Sequence, residues 1–264
     1  MRSQLKDLAS NPKLISGIYN YCDRWCERCE FTSRCLVYTT LEVNDTSEEL
    51  ATHDLQSALF WQKFADLFEE TRVMIMEWAD EQGVDLSPVQ IEPASDREQR
   101  RLETQNDETV LAAKCYALGT FNFFGPASTP RQHRFEVKTE SDEIELGAAV
   151  DVIKHYQFFI AAKIFRALMT ASITVESDEI QTETDALGRE ASDADGSIKI
   201  ALIAIDRSQA AWQIVHNYLP QESPTIESFM IELERLKQTI EGTFPTTREF
   251  MRPGFDIFIS EFCN

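Results

Sequence analysis

Apolar residues recur along most of this chain at helical spacing, and the interruptions fall where Gly, Pro and short polar residues gather. From about Ser47 to Glu81, a stripe of Ala58, Trp61, Phe64, Ala65, Phe68, Ile75 and Trp78 predicts an amphipathic helix, with Gly83 placed to close it. A third helical pattern, after a short N-terminal one, runs from about Asp96 to Phe121 and breaks at Gly125, Pro126 and Pro130. A fourth, from about Asp142 to Ile173, is apolar on almost every face ("AAVDVIKHYQFFIAAKIFRAL") and predicts a central, buried helix. A fifth begins at Ser192 or Asp193 and is ended by Pro220. A sixth covers "SPTIESFMIELERLKQTIEGTF", with Pro224 in its first turn and Gly242 at its end. The one strand-like stretch, "HRFEVKT" at 133–139, has no second strand to pair with.

The predicted fold class is therefore mostly α: a helical bundle of about six helices with an N-terminal cysteine-rich helical segment. Residues 1–40 read as that segment packed on the bundle, and residues 41–264 as an acidic α-helical bundle. Residues 174–197 are rich in Asp, Glu, Ser and Thr and predict a long, exposed acidic connection.

Charge sharpens this division. The formal net charge is −20, yet residues 1–35 carry +2, which leaves −22 on the remainder. Such a body repels phosphate backbones, so bulk nucleic-acid binding is disfavoured. No apolar run reaches the length of a membrane span, and the opening residues hold none suited to a signal peptide. The expectation is a cytoplasmic protein, where clustered cysteines bind metals more often than they form disulfides.

Four of the six cysteines fall within fourteen positions, in "YCDRWCERCEFTSRC". Cys22, Cys26, Cys29 and Cys35 have the spacing C-x3-C-x2-C-x5-C. Asn11 and Pro12 suit the start of a helix through this segment. On such a helix Cys22, Cys26 and Cys29 would fall within an arc of about 60°, on one stripe with Leu14, Ile15, Ile18, Tyr19 and Trp25, and Cys35 would return after a turn. That arrangement predicts a four-thiolate centre. A single zinc ion needs its sulfurs within about 4 Å of one another. An unbroken helix instead separates Cys22 from Cys29 by roughly 10 Å of rise. An iron–sulfur cluster with several irons tolerates the wider spacing, so a [4Fe–4S] cluster is favoured over Zn, and a helix that breaks would reverse the preference.

The portion "CERCEFTSRC", C-x2-C-x5-C preceded by one more cysteine, resembles the cluster loop of endonuclease III-type DNA glycosylases. It is also similar to the cluster-binding cysteines of certain RecB-like exonucleases. In both families such cysteines hold a [4Fe–4S] cluster, so the resemblance implies the same ligand role for Cys22, Cys26, Cys29 and Cys35. The first gap is three residues where the glycosylases have six. No helix-hairpin-helix precedes the cysteines, so the resemblance extends to ligand type and not to glycosylase activity.

Other candidates are less specific. Asp151 and His155 stand four residues apart on the fourth predicted helix, as do Glu49 and His53 near the start of the second, spacings that suit either a metal or a helix-face hydrogen bond. Lys163 and Arg166 interrupt an apolar run, and Asp206 on the fifth helix is the partner expected for Lys163. Glu136-Val137-Lys138 matches a fragment of metal-dependent nuclease motifs without the surrounding strands. "SDADGS" lacks the ligand positions of a calcium loop. No P-loop, Rossmann glycine pattern or nucleophile elbow occurs. Whether the protein is an enzyme is left open. The leading expectation is a metal-binding helical protein whose centre is structural or redox-sensing. The alternatives are a zinc-stapled interaction protein that docks a protein partner, and a redox enzyme with a pocket lined by Asp151, His155, Lys163 and Asp206.

Overall fold

Helix-forming periodicity is realised over most of the chain. The computed structural model describes residues 11–44, 58–85, 93–125, 138–177 and 186–256. Among these residues there are seven α-helices and no strand: α1 (Leu36–Asn44), α2 (Ala58–Gln82), α3 (Ala94–Gln105), α4 (Glu108–Phe124), α5 (Glu140–Ser177), α6 (Ala186–Tyr218) and α7 (Ser223–Thr243). Single 3-10 turns occur at Ile18–Asn20, Cys26–Arg28, Thr32–Arg34, Pro220–Glu222 and Thr247–Glu249. The chain divides into two compact units, one of Met1–Asn20 with Cys26–Ala94, the other of Tyr21–Trp25 with Ser95–Asn264.

In the first unit the Lys13–Ile15 backbone pairs with Arg34. Ile15 N donates to the Arg34 carbonyl at 2.9 Å, and Arg34 Nε donates to that of Lys13 at 3.3 Å. Helix α2 ends as its glycine predicts. Gly83 takes φ 67°, and Val84 N and Gly83 N donate to the carbonyls of Ala79 and Asp80, which satisfies two otherwise orphaned groups. Of the expected apolar stripe of this helix, Ala65, Phe68, Ile75 and Trp78 are exposed, and the neighbouring Ala79 is buried.

The second unit holds the core. Helices α5 and α6 form its most extensive pairing, α4 packs on α5 and α7, and α7 also packs on α6. Each helix buries one stripe at its own period: Ile153, Tyr156, Ile160 and Ile164 on α5, Ile198, Ile205, Trp212 and Val215 on α6, Ile226, Phe229, Leu233, Leu236 and Ile240 on α7. Trp212 is fully buried, stacked on Phe229 at 4.9 Å, and its indole N–H donates to the Tyr116 hydroxyl at 2.9 Å. Truncating a side chain so placed costs about 3–5 kcal/mol. Helix α5 is not buried all round as expected; Asp151, Lys154, Phe158 and Arg166 lie on an exposed face.

Three boundaries differ from expectation. The single helix predicted over 96–121 is two, because Asp107 caps α4 with its carboxylate, accepting from Thr109 N at 2.8 Å and Val110 N at 3.3 Å. The acidic connection predicted over 174–197 is helix at both ends, since α5 runs to Ser177 and α6 starts at Ala186. Ser192 and Asp193 therefore lie inside α6 rather than capping it. Glu49, His53, residues 133–137 and residues 178–185 lie outside the described residues.

Candidate functional site

The cysteine segment is built of turns, not of one amphipathic helix. Gly17 takes φ 73° and Arg24 takes φ 59°, and a left-handed residue ends any α-helix that reaches it. Asp23 explains the conformation at Arg24: its Oδ1 accepts from Trp25 N at 3.2 Å, an aspartate turn closed over the intervening residue. Cys29 repeats the spacing, its sulfur accepting from Phe31 N at 3.4 Å. Cys29 N donates to the Cys26 carbonyl at 3.2 Å, and Cys35 N to that of Thr32 at 3.2 Å. Cys22, Cys26, Cys29 and Cys35 are half-buried, Cys115 is exposed, and none of these five forms a disulfide.

In the second unit, Tyr21–Trp25 lies on α5 and α6, and Asp23 is its hub. The Tyr156 hydroxyl donates to Asp23 Oδ2 at 2.8 Å, and Arg207 Nη1 donates to the same oxygen at 2.6 Å and to the Tyr156 hydroxyl at 2.6 Å. The backbone carbonyl of Asp23 accepts from His155 Nε2 at 2.9 Å, which places a proton on that nitrogen. Trp25 stacks on the His155 ring at 4.2 Å and meets Tyr156 edge-on at 5.9 Å. At the other end, the Tyr21 hydroxyl donates to Asp193 Oδ1 at 3.4 Å, and its ring sits edge-on to Phe250 at 4.8 Å. Asp193 is itself held by the Arg166 guanidinium, at 2.9 Å from Oδ1.

The electrostatics follow from burial against these bonds. Burial pushes the Asp23 carboxyl up, but the Tyr156 hydroxyl, the Trp25 N–H and Arg207 outweigh it and hold the group below the usual aspartate range. Burial and the Asp23 carboxylate push the Tyr156 phenol up to about 12, so it stays a donor at neutral pH. Burial raises the Cys22 thiol, while the Arg24 N–H, the Arg24 charge and Lys163 act to lower it. Burial in turn lowers Lys163, helped by Arg166 and Arg24 and opposed by Cys22 and Asp193.

No protein-family model, curated protein or solved structure matches the chain. The chemistry of the site therefore stands on its own residues. Among the described residues, no three His, Cys, Asp or Glu side chains are gathered as a metal ion would require.

The other sequence-predicted residues are sorted by the structure. His155 engages the Asp23 carbonyl and Trp25, while Asp151 is on the exposed face of α5. The expected Lys163–Asp206 pair is replaced: Asp206 binds Lys237 at 2.8 Å and Arg248 at 3.1 Å, and Lys163 lies 5.4 Å over the Phe159 ring. A groove of about 300 Å³ is lined by Glu108, Thr109, Ala112, Glu232, Arg235, Leu236 and Thr239, and none of Asp151, His155, Lys163 or Asp206 borders it. Sequence reading missed Asp23, Tyr156, Asp193 and Arg207. Tyr156 and Arg207 are each the immediate neighbour of a residue singled out, His155 and Asp206. Asp23 stands inside the cysteine motif.

Proposed function

We propose that this is a metal-binding helical protein in which Cys22, Cys26, Cys29 and Cys35 ligate a [4Fe–4S] cluster with a structural or redox-sensing role. The observation that supports the reading is four half-buried cysteines within fourteen residues, with backbone N–H groups directed at the sulfurs of Cys22 and Cys29. Hydrogen bonds of this kind stabilise thiolates and tune cluster potentials. The excess positive charge of residues 1–35 suits an anionic four-thiolate centre, and a reducing cytoplasm suits the thiols.

Zinc is a second reading with its own support. No α-helix spans Cys22 to Cys29, so the geometric preference turns toward one shared zinc ion, and the cluster reading rests on the resemblance of the cysteine spacing. A zinc centre would staple the segment and favour an interaction role with a protein partner over redox chemistry.

Anaerobic purification of the full chain separates them. The cluster reading expects brown protein with broad absorption near ~400 nm, iron and acid-labile sulfide, all lost in Cys29→Ser. Colourless protein with one zinc per chain selects the second reading. Protein that retains neither metal overturns both.

A further inference from the structure

Five residues of the cysteine segment, Tyr21–Trp25, belong to the second unit, although the chain on either side of them belongs to the first. They add no helix to the α5–α6 pair and are held on it by side chains at alternate positions. The Asp23 carboxylate accepts from Tyr156 of α5 and Arg207 of α6, and the Trp25 ring stacks on His155 of α5. The Tyr21 ring lies against Gly196 of α6, where a Cβ would come within 2.4 Å of it, and its hydroxyl donates to Asp193. These contacts run from Gly196 to Arg207, about three turns of α6. The helices that receive them are packed by their own core, Ile153, Ile160, Ile198 and Ile205. A short segment that sets alternate side chains into matched recesses of a rigid support is bound as a peptide ligand is bound.

We infer that the α5–α6 face is a peptide-recognition surface, selective for an aromatic-x-Asp-x-Trp segment and occupied in this structure by the chain's own Tyr21–Trp25. The partner that fits it is an exposed segment of another protein carrying the same pattern. Each position has a physical reason. A neutral residue in place of Asp leaves the Tyr156 hydroxyl and the Arg207 guanidinium without their charged acceptor. Trp supplies the indole face that covers the His155 ring. The first aromatic ring fills the space that Gly196 leaves, edge-on to Phe250. Asp23 also accepts from Trp25 N, a turn that any segment with this pattern reproduces, so the ligand encodes part of its own bound shape. Tethering gives the chain's own segment an effective concentration on the order of millimolar, so a partner gains the surface only when that segment leaves it. None of the three side chains is a cysteine, so the inference stands apart from the four-cysteine reading.

The test uses the full chain carrying Asp23→Asn and Trp25→Ala, which vacates the surface, with its folding checked by circular dichroism. The probe is a fluorescein-labelled peptide of residues 18–25 with Cys22→Ser, and fluorescence anisotropy reads its binding. Expected are saturable binding to this variant and at least ~10-fold weaker binding to the wild type. The same peptide with Asp23→Asn should bind about 10–100-fold more weakly, as should the original peptide once Arg207→Ala is added to the protein. A scrambled peptide of the same composition should not bind. Absence of saturable binding to the folded variant overturns the inference. So does equal binding of the scrambled or Asp23→Asn peptide, equal binding by the wild type, or indifference to Arg207→Ala. Should the double variant fail to fold, hydrogen exchange in the wild type decides. Excess peptide should then speed exchange of the chain's own Trp25 amide, which is bonded to Asp23, and unchanged exchange overturns the inference.

Discussion

At the scale of single residues, two glycines inside long helices make opposite demands. Gly147 lies on the exposed face of α5, and a Cβ there meets nothing within 4 Å. Gly147→Ala should therefore raise stability by about 0.5–1 kcal/mol, the usual gain from restricting a helical glycine in the unfolded chain. Gly196 is buried in α6, where a Cβ would lie 2.4 Å from the Tyr21 ring and 2.9 Å from Phe250. Both rings are bulky and held by partners, so Gly196→Ala should cost about 1–3 kcal/mol despite its better helix propensity. Urea denaturation of the two variants checks the contrast, and equal shifts would refute the close approach of Tyr21. The same residues show where the sequence was readable. The cysteines were conspicuous because they cluster. Their partners were not, because Asp23 reaches Tyr156 and Arg207 across 133 and 184 positions, and nothing local marks such a contact.

At the scale of elements, α5, α6 and α7 were legible because each buries a stripe on its own period; Ile226, Phe229, Leu233, Leu236 and Ile240 alternate in steps of three and four. The errors have physical causes. Counting cysteine as apolar made residues 14–29 look amphipathic, but Gly17, the Asp23 turn and left-handed Arg24 decide the backbone there. The acidic stretch before Ile198 looked like a loop by composition, yet Asp193 and Asp195 are paid for by Arg166 and by Thr247, the latter at 3.0 Å, both remote in sequence. The α3–α4 junction is not legible from apolar periodicity, because Leu102 is the one large apolar residue between Asp96 and Thr109, although "NDET" offers a cap. Asp107→Ala should cost about 1 kcal/mol, as loss of an N-cap does. Asp107→Asn or Ser, which keep an acceptor, should restore most of it. Thermal denaturation followed by circular dichroism measures both, and an unchanged midpoint in the alanine variant would deny Asp107 its capping role.

At the scale of the whole molecule, charge sets how stability responds to acid, and two effects oppose each other. A net charge of −20 repels itself, so mild acidification should first stabilise the fold. Glu232 acts in the same sense. Its burial outweighs Arg235 and raises its pKa, so its penalty is relieved as pH falls toward the ordinary glutamate value. Carboxylates with depressed values act in the opposite sense. Asp256 binds Lys199 at 3.0 Å and Arg252 at 2.8 Å, and Lys199 also donates to the carbonyls of Phe250 and, at 3.1 Å, Arg248, tying residues 248–256 to α6. Burial pushes this carboxyl up, but the Arg252 side chain, its backbone N–H and Lys199 outweigh it and hold the group well below the usual range. A folded value below the unfolded one means the stabilisation is complete above about pH 4 and is lost as pH falls further. Asp23, depressed for its own reasons, adds to that loss. The denaturation midpoint should therefore rise gently from neutral pH to about pH 5 and then fall steeply below about pH 4. Asp256→Asn should start lower at neutral pH and fall less in acid, because it has no depressed carboxylate there to titrate. An unaltered slope below pH 4 in that variant would show that Asp256 is not among the groups responsible.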